Sequence, residues 1–442
     1  MGWTPWHWQL TLDTSRQFAS GRLWGLVMSV RSRRLLVPAL VLCVGSVSGC
    51  SLGQLELRGG SVTAESAAVI KLSPAGAGKA IEPNVPIVVE AQAGRLTQVL
   101  LSGPDGPVPG TLSGDGQTWT AEPGALSFAS KYSLTATAVD RSGLASDISS
   151  SLTTVAPSGF LGMLMSPRDG ATVGVGLPVT LTLDHQLSTD TAKAAFEKTL
   201  TVTVAGVAPP GSWHWNSDSR VTFRPKDFWP GNSTVKVTAS TKGVHLSQGL
   251  WGDQDHSFSF TTADSMISYV DMQTDQMTVT RNGDTIKVIP ITTGKPGFET
   301  RSGIKVIENK ELTRVMDAAT GGTDPLDPEY YRLEVQFAMR LTDSGEFLHA
   351  APWSIAHQGK ENVSHGCTGM SLADAQWMYE NSRIGDVVEY TGSARPMESS
   401  NGIGLWNISW SRWKAGSALA GSTRIATGGS DAQRNLDHSV KY

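Results

Sequence analysis

The sequence predicts a mainly β protein with three folded domains, two β-sandwiches followed by a third β domain that carries the chemistry. Three observations predict it. The chain has 442 residues, too many for one ordinary domain and close to the length of three. Its 47 Gly and 22 Pro, set among many Thr and Val, favour short strands and turns over helices. From Val69 onward, short segments of alternating apolar and polar residues recur between turn residues, the period-two signal of half-buried strands.

The chain opens on a segment that precedes the folded part. Arg31, Arg33 and Arg34 stand before an apolar run from Leu35 to Val47, which ends Val47-Ser48-Gly49-Cys50. The run is short for a bilayer span and has signal-peptide form. Val-Ser-Gly-Cys resembles a bacterial lipobox, in which cleavage before the cysteine leaves it diacylated. Cys50 is therefore the expected lipid anchor, placing the protein at the cell membrane and facing the periplasm or cell wall; the other readings are an uncleaved signal anchor and a chance cysteine at the end of the run. Met28 is the expected true start, residues 1–49 are upstream residues and leader, and residues 50–68, rich in Gly, Ser and Leu, read as a tether.

Residues 69–157 form the first expected sandwich, with strands at Pro86–Glu90, Val99–Leu101, Thr118–Thr120 and Tyr132–Val139. Pro157-Ser158-Gly159 marks the junction. Residues 158–264 repeat the theme with Val179–Leu183, Leu200–Val204, Trp213–Trp215, Val221–Pro225 and Val235–Ala239. Both read as immunoglobulin-like, without the inter-sheet disulfide of antibody domains, since neither contains a cysteine. His214 and His256 read as ordinary sandwich residues rather than ligands.

Residues 265–394 make the third domain. Asn282-Gly283 between Met277–Arg281 and Thr285–Ile289 is a hairpin signal, because Asn-Gly accepts the positive φ of a type I′ turn. Further strands are expected at Lys305–Ile307, Tyr331–Gln336, Glu346–His349 and Val387–Tyr390. Ser371-Leu372-Ala373-Asp374 reads as a capped helix start, with an end near Asn381. Residues 395–421 form an extension whose Trp406, Trp410 and Trp413 are too apolar to stay wet, and it is expected to pack on the third domain. The polar tail, 422–442, is expected to be disordered.

The chemistry centres on Ser364-His365-Gly366-Cys367-Thr368-Gly369-Met370, eighteen residues beyond His349. A thiolate attacks acyl carbonyls and a neighbouring imidazole takes its proton, so Cys367 with His349 is the minimum equipment for acyl transfer. Gly366, lacking a Cβ, permits a tight turn and lets the Gly366 and Cys367 amides approach a substrate oxyanion. Charged residues are 17%, aromatics 7% and the formal net charge is −4, so no basic patch suggests nucleic acid as a partner. The cysteines Cys43, Cys50 and Cys367 imply no disulfide framework, and Cys43 is lost with a cleaved leader.

His349, Ala351-Pro352-Trp353 and Ser364-His365-Gly366-Cys367 together resemble the signature of L,D-transpeptidases with a YkuD-type catalytic domain. The resemblance extends along the chain to the mycobacterial type with two immunoglobulin-like domains, and nearest to a divergent lipoprotein branch with His-Gly-Cys-Thr-Gly-Met. It implies a peptidoglycan enzyme that forms 3→3 cross-links. Cys367 would attack the donor tetrapeptide stem, D-Ala would leave, and an acceptor stem would resolve the thioester. It also implies covalent acylation by carbapenems and no cofactor. By the same resemblance the Ala350 backbone carbonyl orients His349, and His365 and Ser364 shape the site. Tyr331, Met316 and Trp353 cover or line it, and Thr368 and Gly369 lie against substrate. Three positions depart from the family pattern: Ala350 replaces Ser, Arg301 replaces the proline of Thr-Pro-x-Gly, and Gly369 replaces Asn. The alternatives are an L,D-carboxypeptidase, transfer to a protein lysine, a catalytically weak wall-binding scaffold, or a zinc site from His349, His357, His365 and Cys367. Lys295, Arg301 and Lys360 read as solvated surface charges able to meet stem carboxylates.

Overall fold

The computed structural model describes residues 65–75 and 80–420, so the leader, Cys50, most of the tether and the tail lie outside the described residues. In the first sandwich one sheet runs, in spatial order, Val69–Ser73, Val88–Gln92, Thr118–Ala121, Gly110–Leu112. The other runs Gly106–Val108, Gly94–Gly103, Lys131–Asp140, Ala145–Thr153. Alternation decides which side chains enter: along Lys131–Asp140, Tyr132, Leu134, Ala136 and Ala138 are buried while Lys131, Ser133 and Thr135 face out. They meet Ile87, Val89, Leu101 and Trp119 in one core.

The second sandwich pairs Met163–Ser166, Val179–Leu183, Arg220–Pro225 and Gly211–Ser217 against Thr172–Val173, His256–Thr262, Thr234–Ala239 and Leu200–Val204. A helix that the strand pattern did not announce, Asp190–Glu197, starts where Thr189 accepts the Ala192 amide at 3.1 Å and buries Phe196 in the core.

In the third domain, a five-stranded sheet orders Asp284–Pro290, Gln276–Arg281, Met266–Asp271, Val387–Thr391, Gly303–Val306. Asn282 at φ 53° and Gly283 at φ 93° make its hairpin turn. A four-stranded sheet orders Asn309–Asp317, Arg332–Arg340, Phe347–Ala350, Thr368–Met370. Between them lies a core of Met277, Val279, Leu348, Met370 and Tyr390, closed by the helix Leu372–Asn381, whose cap Ser371 accepts the Asp374 amide.

The Trp-rich extension does not settle on the third domain alone. Trp413 stacks on His214 at 4.4 Å and donates to the Ser212 carbonyl at 2.9 Å, and Trp406 donates to Gly176 at 2.8 Å. All these partners belong to the second sandwich; from the third domain, Ile304 and Val306 complete the cluster. The Arg224 guanidinium lies 4.9, 5.2 and 5.0 Å from the rings of Trp406, Trp410 and Trp413. His214 is thus a stacking residue of this junction. At its other edge, Gly174 and Gly176 donate to the carbonyls of Ile384 and Gly385.

Candidate active site

The site forms because two short strands run parallel at one end of the four-stranded sheet. Leu348, His349 and Ala350 pair with Thr368, Gly369 and Met370, so Cys367 emerges directly before the strand that flanks His349. The tight entry is made by Gly366 at φ +117°, a conformation that residues with a Cβ rarely adopt. Ser364 locks that turn: its hydroxyl donates to the Cys367 carbonyl at 2.6 Å and accepts the Gly366 amide at 3.1 Å. The Gly366 amide is therefore engaged inside the loop, a correction to its expected oxyanion role.

His349 is buried, and its Nδ1–H donates to the Ala350 carbonyl at 2.8 Å, which leaves Nε2 with the free lone pair. Burial holds its pKa below the usual imidazole value. Burial also pushes the Cys367 thiol up to about 11, and its Sγ–H points to the Gly345 carbonyl at 3.5 Å. The resting pair is thus a neutral thiol and a neutral imidazole.

Both side chains line a cavity of about 300 Å³ with Met316, Tyr331, Trp353 and Gly369. Met316 and Tyr331 come from the ends of the Asn309–Asp317 strand and of the loop after it, and they pack with Cys367. Burial raises the Tyr331 phenol to about 12, so it stays a hydrogen-bond donor. Trp353 is 58% exposed and its ring centroid lies 6.1 Å from that of His349, at the cavity mouth.

One expected position behaves differently, and a second shapes the site without meeting the thiol. Thr368 does not face substrate: its side chain is buried and its hydroxyl pairs with the Tyr390 hydroxyl at 2.7 Å, because the residue next to Cys367 alternates into the core. His365 does not aim at the thiol. Its Nε2 meets the Glu329 carboxylate at 2.7 Å, and its ring lies between Phe298 and Tyr331.

Gly369 has a steric reason. A Cβ there would stand 2.9 Å from the Ala351 Cβ and 3.1 Å from Thr292 Cγ2. Its own amide and carbonyl both pair with Thr292 at 2.9 Å, so neither side can move away cheaply.

Glu329 escaped the sequence reading. It binds both Lys295, at 2.6 Å, and His365, tying the loop between Met316 and Tyr331 to the Cys367 loop. Its partners are more than thirty residues away and no local pattern marks it. Lys295 and Arg301 are accordingly not free surface charges; Arg301 is buried against Glu346.

Residues 78–245 match the bacterial Ig domain family, and residues 265–389 match the L,D-transpeptidase catalytic domain, YkuD. L,D-transpeptidase 2 of Mycobacterium tuberculosis (strain CDC 1551 / Oshkosh) is 34% identical over 341 residues, which is 76% of this chain and 82% of that protein. L,D-transpeptidase 5 of Mycobacterium tuberculosis (strain ATCC 25618 / H37Rv) is 32% identical over 358 residues, 78% of this chain and 76% of that one. A solved structure of the LD transpeptidase LdtMt1 in complex with imipenem is 31% identical and covers 52% of this chain and 99% of its own, with a TM-score of 0.45. With a Cys367–His349 cavity carried by the matched catalytic domain, and similarity of this extent to full relatives, the chain belongs to the L,D-transpeptidase family.

Proposed function

We propose that this L,D-transpeptidase joins peptidoglycan stems by 3→3 cross-links through a thioester on Cys367. The observation that carries the reading is the His349 tautomer: Nδ1–H is committed to the Ala350 carbonyl, so Nε2 is the base on the cavity side. Cys367 Sγ attacks the carbonyl after the third residue of a donor tetrapeptide as its proton passes to Nε2. The C–N bond to D-Ala breaks, and the leaving amine takes that proton. The side-chain amine of an acceptor stem then attacks the thioester, gives a proton to Nε2, and the C–S bond breaks to restore the thiol. Tyr331, held protonated, is the side-chain donor placed to meet the acyl oxygen.

Supporting a wall-side location is the leader ending at Cys50, which as the mature first residue would carry the lipid and tether the two sandwiches and the enzyme to the membrane. Intact-protein mass spectrometry of the full chain tests the chemistry, with a disaccharide-tetrapeptide and separately with a carbapenem. A dimeric 3→3 product with loss of D-Ala, absent in Cys367→Ala, is the expected result. Hydrolysed tripeptide without dimer would make the protein a carboxypeptidase, and a folded chain giving neither product nor adduct would make it a wall-binding scaffold. Acyl mass on the Cys50 peptide, lost in Cys50→Ala, tests the anchor.

A further inference from the structure

Beneath the nucleophile lies a set of charges that the reaction above does not use. Lys305 is fully buried, and its Nζ pairs with Glu346 Oε2 and lies 3.7 Å from the centroid of the Tyr390 ring. Glu346, also buried, receives Arg301 Nη1 at 2.8 Å and the Arg301 amide at 3.2 Å on its other oxygen. Arg301 Nε in turn stands 2.5 Å from the half-exposed Glu398 carboxylate. Burying such a set adds little stability over apolar residues of similar volume, so stability alone does not account for it.

Its connections converge on three consecutive residues. Glu346 sits between Gly345, whose carbonyl accepts the Cys367 Sγ–H, and Phe347, whose backbone N–H favours the thiolate. Thr300, next to Arg301, donates to the Gly366 carbonyl at 2.8 Å. Tyr390, under the Lys305 ammonium, pairs with the Thr368 hydroxyl. Gly366, Cys367 and Thr368 are thus each held by one arm of the cluster.

Resting on the transpeptidase reading only for which atom is the nucleophile, we infer that Lys305, Glu346 and Arg301 are positioning residues for Cys367. They clamp the 345–347 segment that grips the sulfur, and the Lys305 ammonium offsets the opposing charge of Glu346 beside it. The charged and titratable groups facing the sulfur are Glu346, which opposes the thiolate most, Lys305 and Arg340, which favour it, Tyr331 and Tyr390, and His349 across the cavity. Arg301 faces Lys305, whose own pKa burial lowers to about 8 against the pull of Glu346.

The test is alkylation of the full chain by iodoacetamide at pH 7, where Lys305 is charged, read by peptide mass spectrometry that separates Cys367 from Cys43 and Cys50. It reads the thiol whether or not cross-links form, so failure here is distinct from failure of the transpeptidase reading. Lys305→Met is expected to slow alkylation of Cys367 about tenfold, the effect of one pH unit at a thiol facing a lost cation. Lys305→Met/Glu346→Gln, which also removes the opposing charge, is expected to return most of the rate. A role in packing alone lowers the rate by the same factor at every pH, whereas loss of the cation moves the pH profile of Cys367 alkylation upward by about one unit. An unchanged rate in folded Lys305→Met, or a double variant as slow as the single one, overturns the inference. Should Lys305→Met fail to fold, Lys305→Gln against the same double variant decides by the same two outcomes.

Discussion

His349 donates its Nδ1 proton to the carbonyl of Ala350, its own chain neighbour, at 2.8 Å. The orienting group is a backbone oxygen, so the tautomer survives without a serine hydroxyl at position 350. With Nε2 free and both partners neutral at rest, the thiol waits for substrate rather than standing as a ready ion pair. His349→Gln is expected to lower acyl transfer by about 10²–10⁴-fold, measured as D-Ala release.

A second consequence concerns pH. Because burial pushes Cys367 up to about 11, the thiolate fraction of the free enzyme rises with pH throughout the neutral and mildly alkaline range. Alkylation without substrate should keep climbing between pH 7 and 9, by less than tenfold per unit because Lys305 loses its charge near 8. A plateau beginning near pH 7 would instead reveal a resting thiolate–imidazolium pair.

Gly369→Asn restores the residue that the family pattern carries, yet here it should do harm. The new Cβ would meet the Ala351 Cβ at 2.9 Å, and overpacking of this kind costs about 1–3 kcal/mol. A lower denaturation midpoint is expected, with part of the loss recovered in Gly369→Asn/Ala351→Gly. Equal stability of wild type and Gly369→Asn would refute the steric account.

Glu329→Gln should loosen the loop over the cavity, since one carboxylate holds both Lys295 and His365. The expected signs are faster limited proteolysis within residues 318–331 and a raised donor KM with an unchanged melting temperature. Proteolysis at the wild-type rate would show that the loop is held by other contacts.

Asp386 is buried with one carboxylate oxygen unpaired, and burial lifts its pKa to about 7 while its other oxygen accepts the Arg383 amide at 2.7 Å. A folded pKa above the unfolded value means that its stabilising contribution is complete below about pH 4 and is lost as pH rises through about 7. Asp386→Asn, which keeps the acceptor, should therefore raise the melting temperature at pH 8 relative to wild type and lose that advantage at pH 4. Equal curves at both pH values would exclude the carboxyl as the source.

Features built from neighbouring residues were legible in the sequence. Asn282-Gly283 set a turn, Ser371 a helix start, and Ser364 to Cys367 a loop whose hydrogen bonds close within four residues. Period-two alternation likewise announced both sandwiches. The helix Asp190–Glu197 was missed because it is one short element among strands, marked only by its Thr189 cap. Lys305 and Glu346 are 41 residues apart, and a lone lysine within a short strand gives no sign that its face is inward. Thr368 was misread because motif membership says nothing about which way a strand residue alternates. The partner of the three tryptophans, Arg224, lies on a different domain.

That last junction bears on how the molecule comes apart. Val387 of the third domain is counted in the same apolar core as Val175 and Trp229 of the second sandwich, while the extension's Trp413 is fully buried against both. The border drawn by strand patterns near residue 264 is therefore not a border of cooperativity. Second sandwich, catalytic domain and extension should melt in a single transition, and a catalytic fragment cut free at that border would expose its own core instead of behaving as an independent enzyme.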